Sequence, residues 1–305
     1  MYAADAFRFS DVDGDGEEEF ITIEKTESYP KQDIATVSRW LGDGGRLVEW
    51  RTGPLSGHRI LVGNVDDDPQ DEIVLFRAAH RAQPGEATLS VTGWSGSEYK
   101  VLSSEALSGR IGALVDVDGD GINEIALATI REKLRDGEGT DPITLVVCRV
   151  SDDGFEPMFE RDLAFGVAAL VGGDVDGDGR DEIVTVENSF GGGVRGQLSI
   201  YRVDTDHGIE TIFRKNRFVN SVGFVRVFES GGDYYLFVEG SLGVWKAAFR
   251  ITALARGYDL IAQSADQLDV FRDALRSTMA FSAERGALVK YVDREMLGSV
   301  PVESP

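Results

Sequence analysis

The chain has little of what several common classes of site require. Cys148 is its single cysteine, which excludes an internal disulfide and a thiolate zinc cluster. This cysteine stands in the apolar run TLVVCRV, where we expect a small core residue rather than a nucleophile. The three histidines, His58, His80 and His207, are too scattered for a histidine-rich metal site. Metal binding through sulfur or imidazole is therefore not expected.

Positive charge and long apolar runs are also scarce. The chain has 31 Lys and Arg against 53 Asp and Glu, a net charge of −22, which argues against binding to nucleic acid phosphates. No apolar stretch approaches the roughly 20 residues that a membrane-spanning helix needs, so no transmembrane segment is expected. The opening segment MYAADAFRFS runs directly into an acidic stretch. We expect this pattern in a precursor whose leader has been removed.

What the chain does contain is an acidic loop that occurs four times. DVDGDGEEE spans 11–19 (loop 1), NVDDDPQDE 64–72 (loop 2), DVDGDGINE 116–124 (loop 3) and DVDGDGRDE 174–182 (loop 4). The near-constant spacing indicates that one structural unit recurs. Each loop places oxygen-bearing side chains at alternating positions and an acid at its ninth position.

The loops resemble the start of an EF-hand, but their surroundings exclude that motif. An EF-hand carries a glutamate at position 12 and is flanked by helices. Position 12 is here Thr22, Leu75, Leu127 or Thr185. The sequences that follow, such as IVLFRA and IALATI, are rich in β-branched residues and favour strands. Each loop is therefore predicted to join the two strands of a hairpin.

The repeating unit predicts an all-β fold. An apolar run precedes each loop, one follows it, and two more strand-like runs come next, which makes four antiparallel strands, the size of one β-propeller blade. A fifth unit without the alternating acids covers 223–240 and 248–262. We therefore predict a β-propeller of about five blades over residues 1–262. No strand that closes the ring is evident, so a fragment and a ring with a degenerate extra blade remain alternatives.

Residues 263–305 are predicted to form a separate C-terminal segment. Leu268, Phe271, Leu275 and Met279 recur at helical spacing. We expect a helix that packs on the propeller, followed by an extended stretch around ALVKYV. A degenerate sixth blade is the alternative for this region.

The acidic loops predict metal sites, because alternating acids in a turn direct their oxygens toward one centre. Ca²⁺ takes six to eight oxygen ligands, whereas Mg²⁺ demands a stricter octahedron, and ligation without nitrogen or sulfur disfavours zinc and copper. We expect three to four Ca²⁺ ions, held by side chains and by a backbone carbonyl at the seventh position. The predicted ligands are Asp11, Asp13, Asp15, Glu17 and Glu19 in loop 1, Asn64, Asp66, Asp68, Gln70 and Glu72 in loop 2, Asp116, Asp118, Asp120, Ile122 and Glu124 in loop 3, and Asp174, Asp176, Asp178, Arg180 and Glu182 in loop 4.

Loop 2 departs most from the common pattern. Asn64 replaces the first aspartate and Pro69 replaces a glycine, so this site is expected to be the weakest. The alternative for all four loops is a solvated acidic turn without a bound ion.

These loops and their flanking strands resemble the FG-GAP/VCBS repeats of integrin-α-like β-propellers. The resemblance rests on D-V-D-G-D-G-x-x-E in loops 1, 3 and 4 and its looser copy in loop 2, with Phe165–Gly166 and Gly112–Leu114 before two of them. It implies calcium in the hairpins, blades around a central channel, a mainly structural role for the ion and recognition of a partner. The best-known members of that family have more blades than the five visible here.

A function in recognition is expected on the face opposite the acidic loops. The connections between second and third strands, 24–33, 77–87, 131–142 and 188–197, are long, and long insertions in repeats often mark a binding face. They carry basic residues among acids, which predicts a mixed-charge surface for a protein or glycan partner. These basic residues are Arg77, Arg81, Arg131, Lys133, Arg135 and Arg195.

Four tryptophans offer a second way to recognise a glycan. Trp40, Trp50, Trp94 and Trp245 have the aromatic rings that sugar-stacking platforms use. Packing inside or between blades is the favoured interpretation of all four.

Two further functions stay open. A polysaccharide lyase or glycosidase would need acids in the central channel, and Glu187, Glu239 and His80 are isolated candidates without a recognisable catalytic motif. A structural spacer within a larger surface protein or assembly is the third possibility. A non-catalytic recognition or scaffold module is the favoured function. Extracellular or periplasmic placement is expected, because calcium is plentiful there.

Overall fold

The computed structural model describes most of the chain between Phe7 and Pro301. The described residues are 7–301 without 26–32, 42–44, 54–57, 78–88, 106–108, 131–142, 152–153, 164–165, 189–195, 205–206, 216–221, 231–232, 241–245, 252–257, 263–278, 283–286 and 293–294. Beyond Arg214 the description covers the backbone of the strands alone.

The described residues form 23 strands in six antiparallel sheets. Sheet A holds β1 (Phe7–Ser10), β2 (Glu19–Lys25), β3 (Asp33–Trp40) and β4 (Arg46–Arg51), and sheet B holds β5 (His58–Gly63), β6 (Glu72–Arg77), β7 (Leu89–Trp94) and β8 (Tyr99–Glu105). Sheet C holds β9 (Gly109–Val115), β10 (Glu124–Ile130), β11 (Ile143–Ser151) and β12 (Gly154–Leu163), and sheet D holds β13 (Gly166–Gly173), β14 (Glu182–Asn188), β15 (Gly196–Asp204) and β16 (Gly208–Lys215). Sheet E holds β17 (Val222–Ser230), β18 (Asp233–Gly240), β19 (Lys246–Ile251) and β20 (Tyr258–Ala262), and sheet F holds β21 (Met279–Ser282), β22 (Ala287–Val292) and β23 (Glu295–Pro301).

Every sheet has the same simple order, in which strands that follow each other in the chain are hydrogen-bonded neighbours. The prediction of an all-β chain built from four-stranded antiparallel units is confirmed for the described residues, which contain no helix. Sheet E confirms the fifth unit predicted from 223–240 and 248–262. It forms without the alternating acids, so the strand pattern alone is sufficient to build a sheet.

The C-terminal segment differs from the prediction. Met279, which was assigned to the helix, begins β21, whereas Leu268, Phe271 and Leu275 lie outside the described residues. The expected extended stretch ALVKYV is β22, and it pairs with strands on both sides. Its β-branched and aromatic residues, Val289, Tyr291 and Val292, suit a strand, and its neighbours complete a three-stranded sheet. The stretch predicted only as an extended segment is therefore the middle strand of a sheet.

The chain divides into two compact units. The first unit contains 1–106 and 269–305, and the second contains 107–268. The domain boundary predicted after residue 262 stays a prediction. In the first unit, β1 lies beside β5 and also beside β21. In the second unit, β13 lies beside both β9 and β17. The first strands of successive sheets are thus neighbours within each unit.

The core of each unit lies between the faces of adjacent sheets. In the first unit, Ile21 and Val37 of sheet A pack with Ile60 and Ile73 of sheet B, all at 0% exposure. In the second unit, the corresponding cluster joins sheets C and D and includes Val115, Leu145 and Ile183. Central strands are buried on both faces, as in the six successive buried residues of β11. The outermost strand β4 instead alternates between half-buried and exposed residues.

Candidate metal centres in the four acidic loops

All four acidic loops connect the first and second strands of a sheet. Each loop runs between paired residues, so the closing glutamate lies directly across from the residue that precedes the loop. The closing glutamates Glu19, Glu72, Glu124 and Glu182 are all 0% exposed. The predicted hairpins are therefore confirmed, and each one carries a buried carboxylate at its base.

Loop 3 shows how the sequence folds the turn. The N–H groups of Gly119 and Gly121 donate to the two oxygens of Asp116, at 2.7 and 2.9 Å. Both glycines have positive φ angles, 79° and 87°, which a residue with a Cβ rarely adopts. The backbone therefore curls around the first carboxylate. This curl explains why the motif alternates aspartate with glycine.

A second contact closes the turn at its base. The N–H of Val117 donates to Glu124 Oε2 at 3.1 Å, and the Val117 side chain is 3% exposed in the core. The same contact occurs in the other loops, at 3.1, 2.9 and 3.1 Å. One glutamate oxygen thus ties the loop together. The other oxygen, Oε1, takes no part in this contact.

The structure brings most of the predicted side-chain ligands together. In five groups of three acids, one oxygen from each residue lies within 4.8 Å of the others. The groups are Asp11, Asp13 and Asp15; Asp13, Glu19 and Glu49; Asp66, Asp68 and Glu72; Asp116, Asp118 and Glu124; and Asp174, Asp176 and Glu182.

Some predicted ligands do not join these groups. Asp120 and Asp178 lie outside them, and Glu19 groups with Glu49 rather than with all three aspartates of its loop. The carbonyl ligands predicted at Glu17, Gln70, Ile122 and Arg180, and the amide oxygen of Asn64, stay predictions. Asn64 Nδ2 donates to the Asp68 carbonyl at 2.9 Å, so this amide ties loop 2 from within.

In loop 3, an arginine enters the acidic group from the third strand. Arg149 Nη2 lies 2.7 Å from Asp118 Oδ2 and 2.6 Å from Glu124 Oε1. Arg149 Nε also donates to Glu124 Oε1, at 3.0 Å. The guanidinium therefore contacts two of the three acids that a metal ion would join.

Loop 4 repeats this arrangement with Arg202. Its Nη2 forms an ion pair with Asp176, lies 3.1 Å from Glu182 Oε1 and lies 3.4 Å from Asp178 Oδ2. The two loops of the second unit thus have the same internal counter-charge.

Loop 1 uses its arginine differently. Arg39 Nη2 lies 2.9 Å from Asp13 Oδ2 and 2.7 Å from Asp15 Oδ2, while Nε lies 3.0 Å from Glu49 Oε1. Glu49 occupies the one-residue bulge of β4, where two residues of β4 face one of β3. Arg39 Nε thus contacts this extra acid instead of Glu19. The buried Glu19 Oε1 has no hydrogen-bond partner among the described residues.

Loop 2 has a glycine where the other loops have an arginine. Thr92 pairs with Ile73, so the next residue, Gly93, lies beside Glu72. A Cβ at Gly93 would lie 3.5 Å from Glu72 Cγ and only 2.7 Å from Leu102 Cδ1, and Leu102 is the bulge residue of β8. Glu72 Oε1 is buried without a hydrogen-bond partner in the described part of the chain.

The pKa values follow this division between the units. Burial, opposed or reinforced by neighbouring groups, raises the pKa of Glu19 and Glu72 to about 8 and that of Glu182 to about 7. Burial also raises the pKa of Glu124, against which hydrogen bonds from Arg149 act. Burial therefore raises the pKa of all four closing glutamates, and an arginine opposes this rise in loops 3 and 4.

An aspartate at the eighth position links neighbouring loops within each unit. Asp181 of loop 4 donates its N–H to the Asp116 carbonyl at 2.7 Å, and its Oδ2 accepts from the Asp116 N–H at 3.2 Å. In the first unit, Asp71 of loop 2 donates to the Asp11 carbonyl at 3.4 Å and accepts a hydrogen bond from Ser10. The first aspartate of loops 1 and 3 is thus held in place by the next loop along the chain.

Sequence reasoning missed the arginines, Glu49 and the linking aspartates. A signal existed for the arginines, because the third strands read SRW, CRV and YRV where β7 reads TGW. Their distance from the loops varies with the connection between second and third strands, so a search at fixed spacing does not find them. The linking aspartates were hidden inside the motif as its variable positions.

The buried acid Glu187, a catalytic candidate in the sequence, is part of a polar network of hydrogen bonds. It accepts hydrogen bonds from the Tyr201 hydroxyl at 2.8 Å, from Thr185 at 3.1 Å and from Gln197 at 3.3 Å. With three donors around a residue that is 1% exposed, this carboxylate is held in place. Of the other catalytic candidates, His80 lies outside the described residues, and Glu239 is described only as a backbone position in β18.

The predicted recognition surface falls almost entirely outside the described residues. This applies to most of 24–33, 77–87, 131–142 and 188–197 and to the side chains of their basic residues. Two of the tryptophans are described in detail. The rings of Trp50 and Trp94 pack against Tyr99, with centroids 5.9 and 4.8 Å away, which agrees with the packing interpretation. Trp245 lies outside the described residues.

No family model matches the chain, and no curated protein matches it. Within the described part of the chain, no helix is long and apolar enough to cross a membrane.

Proposed function

We propose that this chain is a β-propeller scaffold, stabilised by Ca²⁺ in its acidic loops, that recognises a protein or glycan partner. The observation that carries the metal part is the pair of buried oxygens, Glu19 Oε1 and Glu72 Oε1, that face other carboxylates without a hydrogen-bond partner in the described residues. Leaving a buried carboxyl group unsatisfied is costly, whether the group is ionised or protonated, and a cation bound by its oxygen removes that cost.

The propeller part is supported by topology. Five sheets have four strands in simple sequential order, and the first strands of successive sheets are neighbours within each unit. This is the relation that blades have around a central channel. The three-stranded sheet F, with β21 beside β1, is a candidate for the extra blade that the sequence left open.

Calcium is the proposed ion because the clustered ligand atoms are carboxylate oxygens. A hard divalent cation suits such a set, and Ca²⁺ tolerates irregular geometry and a variable number of ligands better than Mg²⁺ does. Three to four ions are proposed. The ion's proposed role is to hold the hairpins at the base of each blade, because the closing glutamates are buried there.

Recognition is proposed for the face formed by the connections between second and third strands. These connections are the longest in the repeats and carry mixed charge. Nothing in the described site favours catalysis. A place in a larger surface protein or assembly, outside the cytoplasm, would supply both calcium and partners.

The metal proposal is tested by thermal unfolding with Ca²⁺, with Mg²⁺ and with excess chelator, together with calorimetric titration. We expect a rise in melting temperature that is specific to Ca²⁺ and a stoichiometry of three to four. Identical melting curves under all three conditions, with no heat of binding, would reject it. Alanine substitution in 77–87 and 131–142 tests the recognition face, since these changes should abolish partner binding without altering the melting temperature.

A further inference from the structure

In sheets A to D, one position in the third strand decides which residue faces the closing glutamate. Ser38, Cys148 and Tyr201 pair with the residue that follows a closing glutamate, and the next residue in each strand is an arginine. In sheet B the residue at this position is Gly93. The loops are therefore alike in sequence but differ in the group that enters them from the side.

The lack of an arginine beside loop 2 compensates for its missing first acid, which made loop 2 the weakest predicted metal site. Loop 3 has acids at its first, third, fifth and ninth positions, but Arg149 brings one positive charge against three of them. Loop 2 has Asn64 in place of the first acid and Gly93 in place of the arginine. The net charge at these positions is consequently the same in both loops. What differs is that a cation entering loop 3 must first displace a guanidinium.

The buried oxygens separate the loops further. Glu124 Oε1 and Glu182 Oε1 already accept hydrogen bonds from arginine, so an incoming ion gains little by contacting them. Glu72 Oε1 has no such partner in the described residues and is 0% exposed, so an ion that reaches it removes an existing cost.

We propose that Arg149 and Arg202 are built-in competitors for the metal ion, so that a divalent cation fills loop 2 before loops 3 and 4. Loop 1 comes second in this order, because Arg39 contacts Asp13 and Asp15 but leaves Glu19 Oε1 unpartnered. The inference rests on the proposed calcium binding and adds its order and its control. It reverses the order that the loop sequences alone predict.

The test is a calorimetric Ca²⁺ titration of the whole chain and of matched glutamine variants. The wild type should show one tight site and a weaker class. Glu72→Gln should weaken the tight site at least tenfold, whereas Glu124→Gln, the same change at the same position of loop 3, should leave it intact. Circular dichroism of the metal-free variants checks that each one retains its sheets.

A variant that gains Ca²⁺ affinity is also needed, because a loss of affinity can result from a general disturbance of the loop. Arg149→Met removes the competitor but keeps the aliphatic length of the side chain, so loop 3 should bind Ca²⁺ about tenfold more tightly and add a second tight site. Arg51→Met, at an exposed position of β4, is the matched control and should change nothing.

The outcomes separate the two proposals. No Ca²⁺ binding by the wild type would overturn the proposed function itself. Binding to a single class of equal sites would overturn only the order, and so would loss of the tight site in Glu124→Gln rather than Glu72→Gln. An unchanged affinity in Arg149→Met would show that the arginine does not compete.

Discussion

The two compact units contain the same acidic loop twice each, yet they balance its charge in different ways. In the second unit, Arg149 and Arg202 reach the closing glutamate of loops 3 and 4 directly. In the first unit, Glu49 draws Arg39 aside and Gly93 replaces the arginine altogether. Loops 3 and 4 therefore contain an internal positive charge that contacts the closing glutamate. In loops 1 and 2, one oxygen of the closing glutamate is buried without a hydrogen-bond partner among the described residues.

The packing of the first strands differs as well. In the second unit, a Cβ at Gly172 of β13 would collide with the Val115 side chain and with the Leu114 carbonyl of β9. In the first unit, Val62 stands at the corresponding place, two residues before the loop. Strands β9 and β13 thus approach each other through a glycine, whereas β5 carries a full side chain there.

The largest effect is expected from adding a methyl group at the close contact between β9 and β13. Gly172→Ala should lower the free energy of unfolding by about 2–3 kcal/mol, because the added methyl group meets backbone as well as side chain. Urea unfolding measures the change. Gly53→Ala is the control, since a Cβ there meets no atom within 4 Å. Equal stability of the two variants would show that β9 and β13 are not in close contact.

Removing Arg149 tests directly whether the internal positive charge stabilises loop 3. Arg149→Met should destabilise the metal-free chain by about 1–2 kcal/mol, since it leaves Glu124 without its partner while the arginine itself is partly exposed. The loss should shrink in saturating Ca²⁺, which can replace the guanidinium. Urea midpoints with chelator and with Ca²⁺ check this. A loss of the same size in both conditions would mean that metal and arginine do not share a site.

Placing an arginine beside loop 2 is the reciprocal test of whether this residue competes with a metal ion. Gly93→Arg with Leu102→Ala, which clears the space that Leu102 fills, should weaken the first Ca²⁺ site about tenfold. Leu102→Ala alone is the control and should bind like the wild type. Calorimetric titration of both variants gives the answer. Weakening in the single variant would instead assign the effect to Leu102.

The smallest effect is expected from the link between loops. Asp181→Ala removes the acceptor for the Asp116 N–H and should weaken Ca²⁺ binding in loop 3 by about threefold, in keeping with the loss of one modest hydrogen bond. Measuring this in the Arg149→Met background makes loop 3 visible as a tight site. Ser10→Ala tests the matching link in the first unit, through Asp71. Unchanged affinities would show that the loops bind independently.

The loops themselves were predictable, because their information is local. The spacing of Asp116, Gly119 and Gly121 encodes a turn that closes on its own first carboxylate. The β-branched runs on either side encode the hairpin, and the predicted strands formed even in sheet E, which lacks the acids. Met279 was misassigned because its four-residue spacing from Leu275 is also compatible with a residue that begins a new strand, β21.

The groups that enter the loops from outside were not predictable in the same way. Glu49 reaches its site because a bulge turns it toward loop 1, and Leu102 covers Gly93 because of the equivalent bulge in β8. A bulge shifts which face a side chain occupies, and short sequence patterns rarely reveal one.

The sequence by itself determined the strands, the hairpin turns and the clustering of acids within each loop, since these depend on residues only a few positions apart. The tertiary structure alone decided the counter-charge of each cluster. Arg149 and Glu124 are 25 residues apart and meet only because β10 and β11 pair in a particular register, and the register in sheet B brings Gly93 to the same place. Backbone pairing in a defined register brings these residues together, so it settles which closing glutamates face an arginine and which do not.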